Sequence, residues 1–325
     1  MRKFTVNRND AGLRLDKFIK KVLKSAPDSL LYKYLRKKRI KVNGKKEDIS
    51  YLLKEGDVLE CYVNDELFSD NRNKKTNIET IRPDLTIVYE DDNILLLHKK
   101  PGITVHTDAT GNTDTLISHV LAYLYQKGEY RPEEELSFCP ALCNRIDRNT
   151  GGIVIAAKNA VALRAVNEAI RNKETEKKYL CLINGILEQK SNTLTAYHHK
   201  DETKKQALVS DQKKEGYKKM VTAYRVLSET TRHGCPVSLV EVHLITGRSH
   251  QIRAHFAHIG HPLIGDEKYG KSDVNQKFHA RYQYLYAYRL RFLLQDKENP
   301  LYYLNGRVFE IDRIPFLEQE HLAKN

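Results

Sequence analysis

From residue 85 onward the apolar residues of this chain arrive in short runs of strand length. They read LTIVYE, NILLLHKK, ITVH, GIVIAAK, YLCLING, VTAYRVL and SLVEVHLI, with helical periodicity in stretches such as TLISHVLAYLYQ and VALRAVNEAIR. No run approaches the roughly 20 apolar residues that a membrane span requires. Strands that outnumber helices in this way predict an α+β fold around a mixed, mostly antiparallel sheet. At 325 residues the chain is long enough for a full core and for two domains. It contains no internal repeat and no low-complexity tract.

The first sixty residues have a different texture. RLDKFIKKVLK sets Leu15, Phe18, Ile19, Val22 and Leu23 at helical spacing. DSLLYKYLRKKR predicts a second helix capped by Asp28 or Ser29, with Lys33, Arg36 and Lys37 on one face. Asn43-Gly44 is a hairpin signal, and YLLKEGDVLECYV reads as strand, turn at Gly56-Asp57, strand. Residues 1–60 carry 17 basic and 8 acidic side chains, so +9 of the chain's net +13 lies there. Such an excess is the electrostatic footprint of a polyanion partner, nucleic acid above all, or else a basic solvated face. Residues 64–80 are poor in apolar side chains and read as a flexible linker. The expected organisation is therefore a small α/β module at 1–63, a linker at 64–81, a larger domain at 82–317 and a frayed tail at 318–325.

Other classes of function find little support. The five cysteines form no CxxC pair, and an odd, scattered set predicts reduced thiols in the cytoplasm. MRKFTVNRND lacks the apolar core of a signal peptide. His250, His255, His258 and His261 crowd one segment, yet only His255 and His258 would share a helical face, and no HExxH spacing occurs. No metal is expected. Gly260 and Gly265 have P-loop spacing, but Asp266-Glu267 follows where Lys-Ser/Thr is needed, and no GxGxxG follows a strand. No nucleotide cofactor is expected either.

Three segments carry chemistry. In NRIDRNTGG, Asp147 stands between Arg145 and Arg148; in ETEKKYLCLING, Tyr179 opens a strand; in LITGRSHQIRAHF, a Thr-Gly-Arg turn leads into a helix bearing Arg253. Opposite charge favours the ionised form of a carboxyl group. An oriented carboxylate can act as nucleophile or base at a sugar carbon. Taken singly, each feature also has a structural reading: an ion pair for Asp147 and its arginines, a packing role for the tyrosine.

Together these residues resemble known families. Arg14-Leu15-Asp16, the basic stretch from Lys33 to Arg39, Val42-Asn43-Gly44 and Gly56-Asp57 resemble the S-four-type RNA-binding module. That likeness implies that Lys33, Arg36, Lys37 and Arg39 contact structured RNA. Asn144 to Gly152 is similar to HRLDRxTSG, Lys177-Lys178-Tyr179 to Lys-x-Tyr, and Thr246 to Arg253 to TGR[ST]HQIR, the signatures of the RluA family of pseudouridine synthases. Gly260-His261-Pro262, Gly265-Asp266, HKKPGITVH (98–106) and YLYAYRLRF (284–292) agree with it.

The resemblance implies a pseudouridine synthase fold and the isomerisation of uridine in RNA without a cofactor. Asp147 would be the catalytic aspartate, Tyr179 the active-site tyrosine and Arg253 the partner of the aspartate. Arg145, Arg148, Arg248 and His250 would hold substrate RNA, with Arg145 filling the space left by the flipped base or holding its phosphate. Large-subunit ribosomal RNA is the favoured partner, transfer RNA the second, and the chain is expected to be a monomer. Two positions depart from the signature, Asn144 for histidine and Gly151 for serine, and Ile146 replaces leucine with little change in volume. The departures are the features that favour a silent RNA-binding or ribosome-assembly factor. An RNA N-glycosylase would share the first half of the chemistry.

Overall fold

In the N-terminal module, Leu15, Phe18, Ile19 and Val22 all turn inward from one helix. They meet Leu31 and Leu35 of the next helix over a three-stranded sheet. The computed structural model describes residues 1–23, 25–68, 77–106, 113–201, 203 and 206–322. The module comprises β1 (Arg2–Thr5), α1 (Leu15–Val22), α2 (Asp28–Arg36), β2 (Ile40–Val42) and β3 (Val58–Cys61), with antiparallel strand order β1-β3-β2. Asp28 is the first residue of α2, not its cap: Pro27 precedes it, and its carboxylate pairs with Lys20 at 2.8 Å. Lys37 caps the C-terminus of α2, so only Lys33 and Arg36 lie within the helix.

Asn43 and Gly44 both take positive φ and close the tight turn expected of them. The turn ends in a single bridge between Val42 and Lys45, because β2 takes β3 as its partner. Tyr51 to Lys54, expected as a strand, makes only the bridge from Leu52 to Arg14.

The larger domain is built on an eleven-stranded sheet among the described residues. Its elements run β4 (Ile87–Glu90), β5 (Ile94–Lys99), α3 (Leu116–Gln126), β6 (Ala141–Leu142), β7 (Gly151–Ala157), α4 (Ala160–Arg171) and β8 (Thr175–Asn184). They continue with β9 (Ser191–Asp201), β10 (Gln206–Ser210), β11 (Lys218–Arg232), β12 (Cys235–Leu244), α5 (Gln251–His258) and α6 (Ser272–Lys277). β13 (Leu285–Phe292), β14 (Val308–Glu310) and α7 (Pro315–Gln319) complete the domain. Strand order is β10-β9-β11-β12-β8-β13-β7-β5-β4, with β14 added on β13 and β6 on β7. Among the described pairs only β7 and β13 run parallel, which makes the sheet mixed and mostly antiparallel. ITVH, expected as a strand, contributes only a bridge from Thr104 to Thr115.

All seven residues of β7 are buried because the sheet is covered on both faces here. Ile153, Ile155 and Ala157 face α4 through Ala162, Ala165 and Val166. Val154 and Ala156 face α3 through Leu116, Val120 and Leu124. The two-residue alternation of a strand thus divides one apolar run between two cores. Thr115 and Ser118 form a capping box that starts α3, and Asn159 caps α4 by accepting from Ala162 N at 2.8 Å.

The module is held against the larger domain by polar contacts. Asn7 and Asn9 donate to Glu135, Ser137 donates to the buried Asp10, and Lys21 donates to the Ser137 carbonyl. Asn9 Oδ1 also accepts from Ala160 N at the start of α4. Residues 69–76 of the expected linker lie outside the described residues, while Phe68 and Ile78 on either side of them are buried in different cores. The segment after Leu317, expected to fray, is packed as far as Leu322. Glu320 is buried and accepts from Tyr284, and His233 bonds its other oxygen.

Candidate active site

Asp147 occupies the loop between β6 and β7, and the sequence fixes that loop from three sides. Ile146 packs into the core beneath it. Thr150 N donates to the Asp147 carbonyl at 3.0 Å, closing a turn. Lys99, fully buried at the end of β5, donates to the carbonyls of Arg148 (2.8 Å), Ile103 (2.9 Å) and Lys100 (3.0 Å). Gly102 and Arg148 then bond each other in both directions, N–H to carbonyl at 2.9 Å and Nε to carbonyl at 3.1 Å. Burial lowers the pKa of Lys99 to about 7, against the opposing charge of Asp147.

Arg253 reaches the same place from α5. The preceding turn is organised by Gln251, which is buried. Its Oε1 accepts from Arg248 N (3.0 Å) and Thr246 Oγ1 (2.9 Å), and its Nε2 donates to Val221 O (2.9 Å) and Thr222 Oγ1 (3.0 Å). Both ends of the amide are spent, and the turn is pinned to β11. Arg253 then donates from Nη1 to Asp147 Oδ2 at 2.9 Å. Its Nε and Nη2 form a two-pronged pair with Asp266 at 2.7 and 2.8 Å. Asp266 is fully buried and also accepts from the backbone of Lys268 and Tyr269. Burial opposes the charge on Arg253, but the Asp266 and Asp147 carboxylates raise its pKa. The planar guanidinium is the group suited to such a bridge. Asp147 itself keeps 27% of its side chain exposed, against 0% for Asp266, so one carboxylate anchors and the other stays accessible.

Tyr179 lies on β8, in register with Val242 of β12 and Ala287 of β13, and is buried. Burial, and then the charge of Asp147, raise its pKa, so the phenol keeps its proton at neutral pH. His250 comes within 4.0 Å of Asp147 Oδ2. Arg145 and Arg148 are exposed, although Arg148 is tied to Gly102; Arg248 is exposed and donates to the Lys219 carbonyl. Lys33, Arg36, Lys37 and Arg39 are exposed on the module, away from the contacts of Asp147. The four clustered histidines go to four different partners: Tyr269, Thr222, Asp211 and the Asn184 carbonyl.

This arrangement can present an oriented carboxylate to a ligand that lies against a buried tyrosine. The family described as RNA pseudouridylate synthase matches residues 93–258, a span that holds Asp147, Tyr179 and Arg253. The chain belongs to the RNA pseudouridylate synthase family. Residues 13–59 match the S4 domain. An uncharacterised RNA pseudouridine synthase of Mycoplasma capricolum is 33% identical over 95% of this chain and 96% of its own. Ribosomal large subunit pseudouridine synthase C of Haemophilus influenzae is 31% identical over 89% of this chain and 86% of its own. Human RNA pseudouridylate synthase domain containing 4 shares the fold, with a TM-score of 0.55 at 20% identity over 73% of this chain and 93% of its own. Human RNA pseudouridylate synthase domain containing 1 does so with a TM-score of 0.53 at 22% identity, over 74% and 96%.

Within this RNA pseudouridine synthase, the two departures from the signature are scaffold positions. Asn144 Oδ1 accepts from Ile155 N at 2.7 Å and its Nδ2 donates to Ile153 O at 3.3 Å, so its amide pairs with β7 as a peptide would. Gly151 lies beneath the ring of Tyr286, which fills the place of any Cβ there. The groups that sequence reasoning left without a role are Lys99, Gln251 and Asp266. All three stood inside quoted motifs, but their function depends on burial, which their identities do not reveal.

Proposed function

We propose that this RNA pseudouridine synthase isomerises uridine in large-subunit ribosomal RNA, with Asp147 as the catalytic carboxylate acting on a flipped nucleotide. The observation that carries the reading is the Asp147–Arg253–Asp266 bridge. It spends the buried guanidinium on holding one accessible carboxylate at a fixed angle, the electrostatic preorganisation that catalysis requires. The large-subunit designation of the Haemophilus influenzae relative supports the substrate class. The exposed cations of the module, Lys33, Arg36, Lys37 and Arg39, supply phosphate contacts.

The reaction breaks the bond from sugar C1′ to the base nitrogen and joins the sugar to base C5. The C5–H bond breaks as the new bond forms, its proton passing to solvent while the freed base nitrogen takes one up, so atoms balance with nothing oxidised and no cofactor. The uridine first leaves its stack, at a cost of a few kcal/mol, and in this reading Arg145 fills the vacated space or holds the phosphate. Asp147 starts the bond break, as nucleophile or as base at the sugar; each route needs the oxygen ionised and aimed. Tyr179 packs against the uracil, its phenol protonated before the uridine arrives. We place this work in the cytoplasm, with the chain acting as a monomer; all five cysteines are free, in keeping with a reducing compartment.

The test is tritium release from RNA carrying uridine labelled at C5. Wild type should release label from ribosomal RNA, and Asp147→Asn should release none while binding the RNA unchanged. Release from transfer RNA alone would move the substrate class. Free uracil in place of pseudouridine would mean a glycosylase.

A further inference from the structure

Tyr269 Oη lies 2.6 Å from Ala207 N and 3.0 Å from His250 Nδ1. An amide N–H can only donate, so the hydroxyl accepts from Ala207 and has its own proton free for Nδ1, the arrangement in which Nε2 faces the Asp147 carboxylate with a proton. A neutral imidazole that accepts at Nδ1 carries its proton on Nε2. Nε2 is the atom 4.0 Å from Asp147 Oδ2, the same oxygen that takes the bond from Arg253 Nη1 at 2.9 Å. No described residue bonds Oδ1. The two carboxylate oxygens are therefore inequivalent before substrate arrives.

We infer that His250 is a positioning residue that acts with Arg253 to hold Oδ2 of Asp147, leaving Oδ1 as the oxygen that meets the uridine. The inference rests on the reading of Asp147 as the catalytic carboxylate and reassigns His250 from RNA contact to the carboxylate. Its backbone supports the role. His250 sits at φ +54°, a left-handed conformation uncommon outside glycine, at the entry to α5 and edge-on to the Tyr269 ring. Burial lowers its pKa; Asp147 opposes this, Arg253 and Lys268 add to it, and Asp266 opposes it, the net direction favouring the neutral ring. At 4.0 Å the N–H is one short movement from bonding Oδ2, as catalytic contacts often are before substrate closes the site. Ala207 belongs to β10, the edge strand, so the chain of contacts runs from the rim of the sheet to the carboxylate.

The experiment compares wild type, His250→Leu, His250→Gln, Tyr269→Phe and Asp147→Asn. Each is assayed for single-turnover tritium release at saturating enzyme, for RNA binding by fluorescence anisotropy and for thermal melting. His250→Leu should lower the rate constant about tenfold to a hundredfold with an unchanged Kd, the worth of one hydrogen bond to a charged group. His250→Gln, whose amide presents an N–H at similar reach, should recover most of that loss. Tyr269→Phe keeps the ring and should slow the reaction without weakening binding, and it carries the test if His250→Leu does not fold. Equal rates for His250→Leu and His250→Gln would overturn the inference, as would a loss confined to Kd. An active Asp147→Asn would instead overturn the reading on which the inference rests.

Discussion

The ring of Tyr286 lies over Gly151 in the parallel pairing of β13 with β7, occupying the space that any side chain at residue 151 would need. Its hydroxyl bonds His98 Nε2 at 2.6 Å, which locks the ring across three strands. At Gly152, φ is +128°, and a Cβ would meet the Ala287 backbone. The Gly-Gly pair lets β13 approach the strand that follows the Asp147 loop.

Restoring the usual serine at this point should therefore harm the protein. Gly151→Ser is expected to destabilise it by about 1–3 kcal/mol through overpacking. The same change should cost less in a Tyr286→Ala background. Thermal melts of the four proteins in this cycle measure the coupling; equal costs in both backgrounds would mean that Tyr286 is not the obstacle.

Asp266 makes two of the three bonds that orient the Arg253 guanidinium. Asp266→Asn leaves a buried cation with half its partner. We expect a stability loss of about 3–5 kcal/mol and a rate reduced by about tenfold to a thousandfold. Single-turnover assays below the melting transition separate the two effects. A variant that melts early but turns over at the wild-type rate would show that Asp147 needs no help from Asp266.

Lys99 sets a pH dependence whose sign follows from its burial. Its pKa in the folded protein falls to about 7, whereas an unfolded lysine titrates near 10.4. Between those values the unfolded chain binds the extra proton, so stability should rise with pH from about 7 to about 10 and its contribution should be lost as pH falls through 7. The slope from this one group is at most about 1.4 kcal/mol per pH unit. Lys99→Met should flatten that part of a urea-melt series and, by releasing the Arg148 carbonyl, slow turnover. An unaltered slope would assign the titration elsewhere.

Lys33, Arg36 and Arg39 project from the module without a role in its core. Changing all three to alanine should weaken RNA binding and reduce the slope of log K against log salt by about one for each lost phosphate contact. The melting temperature should stay within a few degrees, because surface substitutions cost little. Anisotropy titrations at four salt concentrations give the slope; an unchanged slope would move the RNA-binding surface away from these three residues.

The sequence by itself determined most of the elements, the α+β class, the basic module and the motifs that hold Asp147, Tyr179 and Arg253. Apolar periodicity is a local property, and a motif carries its residue types on its face. Only the tertiary structure decided what depends on partners far apart in the chain. Asp147 and Arg253 are separated by 106 positions and meet through one guanidinium nitrogen. That Asp266 anchors this arginine, that Lys99 clamps the Arg148 carbonyl, and that Asn144 and Gly151 serve the scaffold all follow from burial and from which hydrogen-bonding groups face each other. The contact between the module and Glu135 and Ser137, and the packing of Glu320, escaped the sequence for the same reason. Polar side chains at a loop or near a terminus look solvent-exposed until a distant surface closes over them, and the fold brings that surface.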